Sequence, residues 1–182
     1  MILRGILFIH AHPDDAEILA GGTLALLAQA GHNITIVSMT AGDCGTTEHG
    51  PDEIAAIRRS EAAAAANLIG ARYQCAGFGD LAIFNDDPSR RRVTELLRRA
   101  TPGIVITASP ADYHCDHEAT SILVRDACFA ASAPNYQTDS RTPPPLCRPS
   151  LISISPTPWA ALAALEQSSN PTSSSTLRAL SP

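Results

Sequence analysis

The chain has 182 residues, 13 basic and 18 acidic, for a formal net charge of −5, and every basic residue is Arg. That length suits one domain with a single core. The acidic balance excludes the basic stripe of a nucleic-acid binder, a 45% apolar content with 17% charge excludes wholesale disorder, and no apolar run reaches the ~20 residues of a membrane helix. The apolar start at Met1–Ile9 is cut short by His10, His12, Asp14 and Asp15 and lacks the basic leader and cleavage site of a signal peptide. A cytoplasmic location is therefore expected. The five Cys are odd in number and share no C-x-x-C spacing, so they read as reduced thiols.

Ile6–His10 is a short apolar run suited to a buried strand. Helical spacing follows from about Ala16 to Ala30 and stops at Gly31. Ile34–Met39, rich in β-branched residues, is the second strand. Residues 41–50 are a loop by composition, and Pro51 opens a helix that runs to Ile69 and ends at Gly70. Arg72–Ala76 is a short third strand. Asp87 and Pro88 open a helix over Ser89–Ala100 with Val93, Leu96, Leu97 and Ala100 on one face. Arg90, Arg91 and Arg92 read as its solvated face. Ile104–Thr107 is a strand and Glu118–Ala131 a fourth helix. Strands alternating with helices of this length predict an α/β fold with a mostly parallel sheet and helices on both faces. Such sheets bind ligands at the carboxyl ends of their strands.

Composition changes near residue 134. Of the 14 Pro, nine lie in 134–182, a stretch that also holds a Ser cluster and only five charges: Asp139, Arg141, Arg148, Glu166 and Arg178. The chain divides on this basis into a domain over 1–133 and an atypical Pro/Ser-rich segment over 134–182, expected to be partly disordered. Leu151–Ile154 and Trp159–Leu165 are the two pieces inside it expected to order.

Two polar clusters fall at strand ends. His10, His12, Asp14, Asp15 and Glu17 follow the first strand; Asp112, His114, Asp116, His117 and Glu118 follow Ile104–Thr107. If those strands are neighbours, His12, Asp15 and His117 supply two imidazoles and a carboxylate, a ligand set for zinc with an open fourth position. Asp14 is then a spare carboxylate placed to take a proton from water. His114 could protonate a leaving group or hold an oxyanion, and Asp116 could orient His114 or a ligand histidine. Singly, each cluster also reads as a helix N-cap with acidic residues in the first turn. Together, at matching strand ends, they favour the metal reading. Cys44 and Cys115 read as small filler beside the clusters, and His32 and His49 as surface residues.

The run Ala11-His12-Pro13-Asp14-Asp15-Ala16-Glu17 after an opening strand resembles the PIG-L, or LmbE-like, family of zinc-dependent deacetylases. His114-Cys115-Asp116-His117 resembles its second signature, Thr40–Gly45 its Gly/acidic loop, and Arg58-Arg59-Ser60-Glu61 its Arg-x-x-Glu helix. The likeness covers about residues 3–133. It implies a Rossmann-like fold and removal of the N-acetyl group from a GlcNAc-type amino sugar or its conjugate. It also implies zinc on His12, Asp15 and His117, Asp14 as general base, His114 as acid or oxyanion partner oriented by Asp116, and Arg58 facing the sugar. Cys115 stands where relatives carry proline, and Glu17 comes one position later than their acidic residue. The Asp-Ile strand and His-x-Ser-Gln helix that close relatives' domains are not visible here. From about Ser140 a shifted or eroded end is expected, leaving one sheet edge and part of the substrate rim uncovered. Two other readings of the same residues stay open. Two His and a carboxylate also make a non-haem iron site, which the extra Asp14 argues against; the unusual end favours a remnant that binds zinc or sugar without turnover.

Overall fold

A computed structural model describes residues 5–139, 142–145 and 149–154. In chain order these form β1 (Gly5–His10), α1 (Asp15–Gln29), β2 (Asn33–Thr40), α2 (Pro51–Leu68), β3 (Arg72–Phe78), α3 (Asp87–Ala100), β4 (Ile104–Ala108), α4 (Cys115–Ala131) and β5 (Ser150–Ile154). All pairings are parallel, in the order β3-β2-β1-β4-β5. The predicted α/β architecture is the one observed.

Period-two alternation sorts the side chains of β1 between two cores. Leu7 and Ile9 join Val37, Met39 and Val105 under α3 and α4, against Val93, Leu97, Leu123 and Val124. Ile6 and Phe8 face the opposite way, with Ile34, Ile36 and Ile106 against Ala16, Ala20 and Leu24 of α1 and Ala66 of α2. Strands covered on both faces explain the near-continuous apolar runs in the sequence. The chain leaves β1 towards β2 and β3, then crosses to the far side of β1 to make β4. The gap above β1 and β4 is thus the topological switch point, where ligands of such sheets bind.

The compositional boundary at 133 does not mark the end of the packed structure. Leu151–Ile154, one of the two pieces expected to order, is part of β5, the outer strand paired to β4 from Ile104↔Ser150 to Ala108↔Ile154. The connection is fastened to α3. Buried Glu95 accepts hydrogen bonds from Thr138 Oγ1 at 2.6 Å and Thr142 Oγ1 at 2.5 Å. Tyr136 Oη donates to Asp87 at 3.0 Å, and Arg91 lies over the Tyr136 ring. Local side-chain partners, invisible to composition, order what Pro content alone would leave loose. Trp159–Leu165 lies outside the described residues.

Buried Arg98 is the other fastener. Its guanidinium donates to the carbonyls of Ala130, Ala131 and Ala133, where α4 ends, and to that of Thr142. The carbonyls of Ala130 and Ala133 also accept backbone N–H groups, from Ala133 and Tyr136, so Arg98 supplements the closing turn of α4. Arg98→Met keeps the apolar stem and removes four charge-assisted hydrogen bonds from the buried guanidinium, so it is expected to cost about 2–4 kcal/mol of stability. The midpoint of urea unfolding, at unchanged slope, measures that loss.

Candidate active site

Both predicted clusters meet at the switch point. β1 ends at His10; the turn His12–Asp14 leads into α1, whose first residue is Asp15. α4 begins at Cys115, three residues earlier than the apolar spacing suggested, so the cap of this helix is not Asp116. His114 is the N-cap: its Nδ1 accepts the Asp116 backbone N–H at 3.2 Å, and Asp116 and His117 sit in the first turn. A proline at position 115 would preset that first helical turn; Cys115 leaves the task to the His114 cap.

Asp15 is the centre of the arrangement. Its Oδ2 lies 2.6 Å from His10 Nδ1 and accepts the His12 backbone N–H at 2.7 Å. Burial alone would push this carboxyl up, but the hydrogen bonds from His10 and His12 outweigh it and hold Asp15 well below the usual carboxylate range. Asp15 Oδ1 lies 3.5 Å from His117 Nε2, and Oδ2 lies 3.7 Å from His12 Nδ1. Each of these imidazoles carries a second carboxylate on its other nitrogen: Asp116 at 3.1 Å from His12 Nε2 and Asp112 at 3.2 Å from His117 Nδ1. Asp116 is hydrogen-bonded to His12 Nε2, whereas Asp112 stands beside His117 Nδ1 without a hydrogen bond; carboxylates so placed favour lone pairs on His12 Nδ1 and His117 Nε2 facing Asp15, the pattern that supports metal-binding histidines. Asp15 faces the two imidazoles through different oxygens, each contact near the spacing of about 3.3 Å between neighbouring ligands of a tetrahedral ion with bonds of about 2.0–2.1 Å. The residues present therefore fit a divalent ion.

Two overlapping triplets put donor atoms within 4.8 Å of one another, His10–Asp15–His117 and His12–His114–His117, and the expected set shares members with both. His10 belongs behind Asp15, because its Nδ1 is committed to that carboxylate. His114 spends Nδ1 on the Asp116 amide, so a neutral ring carries its proton on Nε2, available as a donor. Of the two readings of Asp116, its carboxylate takes the ligand candidate His12, together with the Leu81 backbone N–H at 2.8 Å, and only its amide reaches His114. Burial lowers the His117 pKa, against the opposing pull of Asp15 and Asp112. Burial works against protonation of His12 too, but Asp15 and Asp116 prevail and raise it.

Asp14 takes a left-handed backbone conformation, φ 89°, at the entrance of α1, which Asp tolerates better than most residues. Its carboxylate is 53% exposed and bonded to Arg58 at 2.9 Å; the same guanidinium nitrogen donates to the Pro13 carbonyl at 2.7 Å. Gly42, at φ +73°, lets the β2–α2 loop lie against Arg58 and Pro13, with Arg58 Cγ 3.5 Å from where a Cβ would stand. These groups line a cleft of about 670 Å³ that holds all six candidate catalytic and metal residues together with Arg58.

Sequence reasoning gave no role to His10, Asp112 or Leu81. The first two lie in the polar clusters just outside the motif runs, and the strand-end position of His10 was the available signal. The Leu81 contribution is a backbone N–H and leaves no trace in residue type.

An open parallel α/β domain with a His/Asp metal-type site at its switch point is the class these features define. Residues 7–128 match the profile of the PIG-L family, described as GlcNAc-PI de-N-acetylase, and the chain belongs to that family. It is 30% identical over 140 residues to the diacetylchitobiose deacetylase of Thermococcus kodakarensis, covering 74% of this chain and 52% of that one. Among solved structures it is similar to the N,N'-diacetylchitobiose deacetylase of Pyrococcus horikoshii (TM-score 0.69, 32% identity, 72% and 52% of the two chains). It is also similar to the 4-carboxy-2-hydroxymuconate hydratase of Pseudomonas putida (TM-score 0.71, 27% identity, 80% and 63%). The chain spans about half the length of the curated relatives it matches. Among the described residues no helix is long and apolar enough to cross a membrane.

Proposed function

We propose that the chain is a zinc-dependent amidohydrolase that removes the N-acetyl group from a GlcNAc-type amino sugar or a conjugate of one. The observation that carries this reading is the pair of lone-pair donors, His12 Nδ1 and His117 Nε2, facing Asp15, with the half-exposed carboxylate of Asp14 in the same cleft, held by Arg58. When bound, the ion supplies Lewis acidity to the acyl carbonyl and acidifies the attacking water. Asp14 accepts the proton of that water; its bond to Arg58 fixes the carboxylate in place. His114, with a proton on Nε2, donates to the oxyanion that develops on the acyl oxygen. The proton held by Asp14, or that of His114, then goes to the departing amine. Products are acetate and a free amino sugar.

The likeness to a hydratase supports one rival, addition of water to an unsaturated acid. Fold does not fix reaction, and the cleft argues for the amide. Its lining has one cation among the described residues, Arg58, already bonded to Asp14 and the Pro13 carbonyl. Beyond the ion, a polycarboxylate would find no free cationic side chain among the described residues. Acetate release from a panel of N-acetyl amino sugars tests the proposal, with metal analysis of the purified protein. Zinc at about one per chain and acetate from at least one sugar are expected. Iron with oxygen uptake, or zinc with no turnover on any sugar, would overturn it.

A further inference from the structure

Three large apolar side chains stand at the cleft with their surfaces turned to solvent. Among the described residues Ile18 is 75% exposed, Leu81 63% and Tyr113 83%, and all three line the same opening. Scattered surface hydrophobics are ordinary. These come from three separate elements, α1, the β3–α3 loop and the β4–α4 loop, and converge on one site, which is what marks a binding surface. Leu81 strengthens the point. It holds φ 60°, a left-handed conformation that a Gly would adopt without strain. The bond from its N–H to Asp116 accounts for the backbone. Nothing in that bond calls for a leucine side chain at the opening.

Charge narrows the occupant. Among the described residues the cleft's one guanidinium, Arg58, is already bonded to Asp14 and the Pro13 carbonyl, so its rim offers no free cationic side chain beside Ile18, Leu81 and Tyr113. Resting on the amidohydrolase reading, we propose that the group attached to the sugar is uncharged and apolar. An alkyl or aryl aglycone would seat on Ile18, Leu81 and Tyr113, and phosphorylated or carboxylated conjugates would be disfavoured.

The test uses the full-length, metal-loaded protein and four probes: the methyl, hexyl and phenyl glycosides of N-acetylglucosamine, and N-acetylglucosamine 1-phosphate. Calorimetry gives affinity and acetate release gives kcat/KM. Each methylene buried against the rim is worth about fourfold, so hexyl should bind about tenfold or more tighter than methyl, with the 1-phosphate weakest. Ile18→Ser and Leu81→Gly should each shrink the hexyl-to-methyl ratio by about threefold or more; the glycine keeps the N–H that Asp116 needs. A ratio near one, or a 1-phosphate that binds better than hexyl, overturns the inference. The two readings fail separately. Deacetylation without an alkyl preference removes the apolar subsite and leaves the amidohydrolase; tight hexyl binding without acetate does the reverse.

Discussion

His117→Ala is expected to strip most of the metal from the protein and abolish turnover. His117 Nε2 faces Asp15 at 3.5 Å, while Asp112 stands 3.2 Å from the opposite nitrogen. With three protein ligands no other group takes over. Asp15→Ala should behave alike, because it also removes the partner of His10 and the acceptor of the His12 amide. Loss of the supporting Asp112 should cost only about 10–100-fold in metal affinity. His114→Ala should keep the ion and slow the reaction. Elemental analysis after dialysis checks all four. If His114→Ala empties the site while Asp15→Ala stays loaded, the ion belongs to the three imidazoles His12, His114 and His117 instead.

The second large effect concerns the base. Asp14→Asn should lower kcat by about 10²–10⁴-fold, the usual scale for a positioned proton acceptor, with metal content and KM little changed. Asparagine tolerates the left-handed backbone at this position, and its amide oxygen can still accept from Arg58, now without the ionic component. The loss therefore reports the missing basicity rather than a displaced loop. Near-normal turnover of that variant, with zinc retained, removes Asp14 from the chemistry.

The sheet, its helices and the paired clusters were legible because each leaves a periodic or positional mark. Parallel strands read as apolar runs, α2 opens on a proline, and two polar clusters follow the two strands that the topology makes neighbours. What escaped has no such mark. Glu95 and Arg98 sit on α3 among charges that read as solvated, yet both are buried, bonded to the connection that delivers β5. A charged residue looks the same in sequence whether its partner is water or a carbonyl from forty residues downstream. The partner of Asp116 was ambiguous for a related reason. Spacing places it beside His114, but the carboxylate reaches across the cleft to His12, a residue 104 positions away.

The seam between β1 and β4 also sets the order in which the protein can assemble. These strands pair directly, from Ile6↔Ile104 to Ile9↔Thr107, although three helices and two strands of chain lie between them. Parallel contacts of such sequence separation form slowly, because the entropy of closing the intervening chain is lost before any pairing is gained. His12 and His117 stand on opposite sides of this seam. An ion cannot nucleate folding from either half alone, so its uptake during refolding should trail the appearance of helical signal. Uptake then becomes a clock for the closing of the sheet.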